Sequence, residues 1–115
     1  MAINLNGTRI ASGRTKQYST QWKAYTPQCI CLDVDTTIGE FKGTPAYVAS
    51  ISGKEEPWIA VGVAAIYPIP PALTPSPTGF RIYVRRIDGL DLTPEDANKT
   101  KGWYVNWIGV ESPES

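Results

Sequence analysis

Two runs constrain this chain most. Gly79-Phe80-Arg81-Ile82-Tyr83-Val84-Arg85 follows the turn residues Pro77 and Thr78, and Trp103-Tyr104-Val105-Asn106-Trp107-Ile108-Gly109-Val110-Glu111 stands near the C-terminus. Each alternates large apolar side chains with polar or small ones and is rich in aromatic and β-branched residues, the pattern of strands with one face buried. In the first run Phe80, Ile82 and Val84 share one face. Arg81, Tyr83 and Arg85 share the other.

The same period recurs upstream. In Cys29-Ile30-Cys31-Leu32-Asp33-Val34-Asp35 it sets Ile30, Leu32 and Val34 against Cys29, Cys31 and Asp33. Pro45 opens a further strand, Ala46 to Ile51. The run from Trp58 to Tyr67 is almost unbroken Ile, Val, Ala and Gly, which predicts a strand covered on both sides at the centre of the fold. Residues 1–20 are polar and weakly patterned, with Ile10 as their one apolar anchor, and read as an N-terminal arm or edge strand. Residues 21–115 read as the domain proper. Five prolines between Pro68 and Pro77 forbid helix and inner strand alike and predict a stiff, extended crossing. Thr93-Pro94-Glu95-Asp96-Ala97 carries a capping residue, a first-turn proline and two acids, so one short helical turn is expected there and no other helix. The fold class that follows is all-β.

At 115 residues the chain is long enough for one self-sufficient core. Its 11 basic and 11 acidic residues balance, removing the field that would hold it on nucleic acid or anionic lipid. No nucleic-acid or membrane partner is expected, since no segment approaches about 18 consecutive apolar residues. The start shows no basic stretch followed by an apolar one, the mark of a secretory leader. That predicts cytoplasmic synthesis, with the product either released or built into an assembly. Asn6-Gly7-Thr8 and Asn98-Lys99-Thr100 then read as chance glycosylation triplets.

Histidine is absent, which excludes Ser-His-Asp and Cys-His nucleophile systems. No cofactor or metal is called for: the Cys29–Cys31 spacing matches no zinc module, and the two thiols point along one strand face rather than at each other. They read as structural thiols, with an intersubunit disulfide as the alternative. Asp33 and Asp35 read as solvated or arginine-paired strand carboxylates rather than a calcium site or an acid/base pair. The chain is accordingly read as a non-enzyme. Among the tryptophans, Trp107 reads as core or subunit seam. Trp58 and Trp103 begin strands beside polar turns, where an indole either fills the core or stands half exposed as a platform.

Ser76-Pro77-Thr78-Gly79-Phe80-Arg81, followed by Val105-Asn106-Trp107-Ile108-Gly109-Val110-Glu111, resembles the H-type lectins, the family that includes the snail agglutinin and the C-terminal domain of discoidins. Their closing hairpin carries a similar Pro-Thr-Gly-Phe start and a similar Trp-Ile near its end. Leu32-Asp33-Val34, Gly43 to Ile51, and Ala64-Ala65-Ile66-Tyr67 look like the preceding strands in the same order, so the likeness spans about Gln28 to Glu111. It implies a six- to seven-stranded antiparallel β-sandwich that assembles as a homotrimer and binds galactose- or N-acetylgalactosamine-type glycans at the ends of its subunit interfaces. The family's sugar-binding residues are not matched. Where the snail-type site has an arginine this chain has Val61 or a neighbour, where it has an aromatic–histidine pair this chain has Ile87-Asp88, and Gly89 to Gly102 is an insertion. A rebuilt site is therefore expected around the Ile87–Trp103 loop, with Arg85, Arg86 and Asp88 binding hydroxyls and Trp103 stacking on a ring face. The alternative is a structural or decorating trimer in a virion, tail or injection apparatus, using the sandwich as an assembly block.

Overall fold

The computed structural model describes residues 2–113. Eight strands form two four-stranded antiparallel sheets: β1 (Ala2–Leu5), β2 (Thr8–Arg14), β8 (Tyr104–Glu111) and β5 (Ala46–Ser52), in that spatial order, face β3 (Lys23–Thr26), β4 (Cys29–Asp35), β7 (Gly79–Arg86) and β6 (Ala60–Val61). The all-β character expected from alternation is present, as a sandwich of eight strands where the resemblance implied six or seven.

Register explains why the sheets adhere. Ile30, Leu32 and Val34 of β4 lie opposite Val84, Ile82 and Phe80 of β7, so the apolar faces coincide, and all six are at most 1% exposed. Ala11, Tyr47, Ala49, Val105 and Trp107 answer from the other sheet. Tyr47 crosses the gap, its ring centroid 4.6 Å from that of Phe80. Its hydroxyl donates to the Ser76 carbonyl and accepts from Thr36, both at 2.7 Å, so the phenol enters the core with its polar tip satisfied. Each large side chain so enclosed contributes about 1.5–3 kcal/mol.

Four expectations are corrected. The run Trp58 to Tyr67 is not the central strand. Pro57–Ile59 is a 3₁₀ turn, only Ala60 and Val61 pair with β7, and Gly62 turns off at φ +100°, returning to a single bridge between Tyr67 and Arg81. A side chain at Gly62 would start 2.4 Å from the Tyr83 carbonyl, so the glycine is what lets the bulge hug β7. Secondly, β7 and β8 do not close a hairpin, because they belong to opposite sheets. Thirdly, the N-terminal residues are integral to the sandwich. Only β1 is an edge, while β2 is an inner strand whose buried anchor is Ala11, Ile10 lying on the outer face.

The fourth concerns the Gly89–Gly102 insertion, which is a plug rather than an open loop. Leu92 and Ala97 are buried, and Thr93 accepts the Asp96 amide proton at 3.0 Å to start the expected helical turn, which continues as a π-helical turn, Asp96–Thr100. Asn98 fastens the plug to the Thr20 backbone by accepting at 3.0 Å and donating at 2.7 Å. A further 3₁₀ turn, Thr37–Gly39, was not foreseen. Among the described residues no helix is long and apolar enough to cross a membrane.

Candidate functional site

The four residues singled out from sequence do not converge. Arg85 and Arg86 are neighbours on β7 and point to opposite sides of it: Arg85 lies on the outer face in the register of Cys29, whereas Arg86 turns to the sandwich end. Arg86 and Asp88 hold each other in a two-pronged pair at 3.0 and 2.8 Å. That pairing holds the Asp88 carboxyl below the usual range and turns the two groups toward each other. Trp103, offered as a stacking platform with core filling as the alternative, is fully buried, and its indole N–H donates to the Glu55 carbonyl at 2.8 Å. It has no face for a ligand. The reason is the plug: Ala97 receives the Trp103 amide at 2.7 Å and draws the residue inward. Of the two candidate platforms Trp58 is the open one, at 74% exposure.

What the fold does bring together is a row of tyrosines on the outer face of the second sheet. Alternation turns Tyr83 outward between Arg81 and Arg85. A β-bulge between Ala24 and Thr26 brings Tyr25 beside it, with ring centroids 4.9 Å apart. From the other side the Gly62 detour returns Tyr67 edge-on to Tyr83 at 5.0 Å. Tyr25 is 61% exposed and Tyr67 46%, so the row is open to solvent. It lines two adjoining shallow grooves: one of about 330 Å³ between Tyr25, Cys29, Tyr67 and Tyr83, the other of about 320 Å³ where Val61, Ala65 and Arg85 join. Both fall in the size range of small-ligand sites.

Charge around the row is asymmetric. Arg81 is bound to Asp33, which also receives Lys23 at 2.7 Å. The Arg81 hydrogen bonds hold the Asp33 carboxyl below its ordinary range, and the Arg81 guanidinium is pushed upward in turn. Asp35 instead accepts from the Thr37 amide at 2.9 Å, so the two carboxylates serve separate local contacts. Arg85, by contrast, makes no ion pair among the described residues and stands beside the groove with its donors available. The Cys29 thiol is pushed up by burial and by Cys31, which keeps it protonated and a poor nucleophile at neutral pH. Cys29 and Cys31 are both free thiols, and no cluster of acidic or thiol groups suited to a metal occurs among the described residues.

A larger cleft, about 490 Å³, opens at the far end of the other sheet between Asn4, Arg9, Glu40, Lys42 and Glu111. Its charges are mostly engaged: Arg9 donates to the Gly39 carbonyl at 2.7 Å and pairs with Glu40 at 3.3 Å, and Glu111 caps the Lys42 and Gly43 amides. Little remains there to orient a ligand. The tyrosine row escaped sequence reading because its members lie at positions 25, 67 and 83. Only the Arg81–Tyr83–Arg85 stripe was visible beforehand. No protein-family model, curated protein or solved structure matches the chain.

Proposed function

We propose that this protein is a non-enzymatic carbohydrate-binding module acting as a homotrimer, with a galactose- or N-acetylgalactosamine-type ring laid on the Tyr25–Tyr83–Tyr67 row and its hydroxyls met by Arg85. The observation that carries this reading is the row itself: Tyr25 and Tyr67 each pack on Tyr83 and are exposed, beside Arg85, which makes no ion pair among the described residues. An aromatic face takes the apolar side of a sugar ring, and a guanidinium fork takes adjacent hydroxyls. The likeness of the Gly79-Phe80 and Trp107-Ile108 segments to H-type lectins supports the sugar class and the trimer. Single contacts of this kind are weak, and three copies on one axis raise avidity through effective concentration.

The test is a glycan array probed with the full chain, with Tyr25→Ala, Tyr67→Ala and Arg85→Ala alongside. Each variant is expected to lose about tenfold in affinity, equivalent to about 1.4 kcal/mol. Arg86→Ala, at the sandwich end, is expected to bind as the parent does. No binding at any glycan density removes the proposal. A second reading, a structural or decorating trimer of a larger assembly, is favoured by the long uncharged strand edge of β5.

A further inference from the structure

Every open sheet has two edges, and an edge presents unpaired peptide groups to any strand that meets it. Three of the four edges here are blunted. β1 has four residues, β3 has four with a bulge and a lysine, and β6 has two. β5 is different: Ala46-Tyr47-Val48-Ala49-Ser50-Ile51-Ser52 is seven residues long, carries no charge and no proline, and pairs with β8 without a break in register.

The hydrogen-bond phase of the sheet fixes which of its peptide groups are unused. The Thr15 amide donates to the Val105 carbonyl at 2.9 Å, so Val105 turns its peptide groups toward β2. In an antiparallel ladder alternate residues face alternate sides, so Tyr104, Asn106, Ile108 and Val110 face β5. Their partners Ser52, Ser50, Val48 and Ala46 are consumed by β8. Tyr47, Ala49 and Ile51 therefore present their N–H and C=O groups outward, and no main-chain partner meets them among the described residues. Their side chains point into the core, so nothing on them shields the edge.

We infer that this edge pairs with the same edge of a second copy of the chain. Two observations select a second copy over a foreign strand. The pattern is self-complementary: antiparallel pairing about a two-fold axis at Ala49 sets Tyr47 opposite Ile51 of the partner and Ala49 opposite its own counterpart, so every outward peptide group is satisfied with no overhang. The outer-face neighbours are also compatible with themselves. Val48 falls opposite a partner serine and Ala46 likewise, with no like charges brought together. The row Ile3–Ile10–Val110–Ala46 then meets the copy's Ser52–Tyr104 row and the pair Ile108–Val48 its Ser50–Asn106 row, making one eight-stranded sheet. This pairing is independent of the glycan site, which lies on the other sheet.

The mass of the full chain measured by light scattering across micromolar to submillimolar concentrations tests it. An even number of 12.6 kDa chains is expected, two, or six where a three-fold also operates. Val48→Lys, at a site already 63% exposed, is expected to weaken that two-fold step about tenfold while leaving the melting temperature of the single chain unchanged. Register is read by oxidative cross-linking. With Cys29→Ser and Cys31→Ser in every protein, Val48→Cys mixed with Ser50→Cys should form an interchain disulfide that neither protein forms alone, because positions 48 and 50 face each other as a closely spaced, non-hydrogen-bonded pair. A mass of one or three chains at all concentrations overturns the inference. So does equal cross-linking in the unmixed proteins.

Discussion

Replacing Gly13 by alanine tests whether the N-terminal strand is truly woven into the sandwich. Gly13 sits opposite Trp107 in the β2–β8 ladder, and a β-carbon there would lie 2.8 Å from the indole Nε1 and 2.9 Å from both Cε2 and Cζ2. Ordinary carbon contacts are about 3.5–4.0 Å, so ring or strand must move by about 0.7 Å or more. Trp107 has little room for that, being 5% exposed and edge-on to Tyr47 at 6.3 Å. Such overpacking costs about 1–3 kcal/mol. The backbone at Gly13 is not left-handed, so alanine also recovers about 0.5 kcal/mol by restricting the unfolded chain. The net expectation is a loss of about 0.5–2.5 kcal/mol. The sign should reverse once the obstacle is gone: in a Trp107→Leu background Gly13→Ala should be neutral or stabilising by about 0.5 kcal/mol. Urea denaturation of the four proteins in the cycle gives the coupling directly. Equal costs in both backgrounds would refute the contact, and with it the position of β2 beside β8.

Two further outcomes follow from side-chain pairs. The Asp33 carboxyl is held below its unfolded value by Arg81 and Lys23, so its contribution to stability is complete above about pH 4 and fades as pH falls through the lower folded value. The stability gap between the parent and Asp33→Asn, measured by urea denaturation from pH 7 down to about pH 2, should therefore be widest at neutrality and shrink in acid; a constant gap would contradict the pairing. Asn98→Ala removes both amide bonds to the buried Thr20 backbone and should cost about 2 kcal/mol, with faster amide exchange in the plug at residues 92–100. An unchanged exchange pattern would show that the plug is held by Leu92 and Ala97 alone.

Legibility in the sequence tracked how local each determinant is. β4, β5, β7 and β8 were readable because a period of two is written within each strand, and Ile30, Phe80, Ile82 and Val84 all lie where it puts them. β2 was not, since its inward residues Ala11 and Gly13 are small. They face inward because Trp107, on a strand some ninety residues later, needs the space. The run after Trp58 misled for the opposite reason. Its composition favours a buried strand, yet Pro57 starts a turn and Gly62 is required at a left-handed φ by the Tyr83 carbonyl, so β6 ends after two residues.

The same distinction governs the site. Arg85, Arg86, Asp88 and Trp103 were grouped because they flank one insertion, and closeness along the chain proved a poor guide once that insertion folded inward as a plug. Trp103 went with it. Tyr25 and Tyr67 are instead carried to Tyr83 by two irregularities, the bulge after Ala24 and the Gly62 detour, one on each side of the β4–β7 pair. Irregular strands re-aim side chains and also end pairing, so both edges of this sheet are spoiled for strand addition while its outer face gains a row of rings. The other sheet has no such break along β5 and keeps an edge that a second copy satisfies. The proposed ligand face and the proposed assembly edge thus fall on different sheets for one reason, the placement of the β3 bulge and the Gly62 detour. Straightening β3 by deleting Tyr25, the residue at its register shift, should remove the ring from the row and lengthen the regular β3 edge, and a gain in self-association together with a loss of glycan affinity is the combined outcome this account requires.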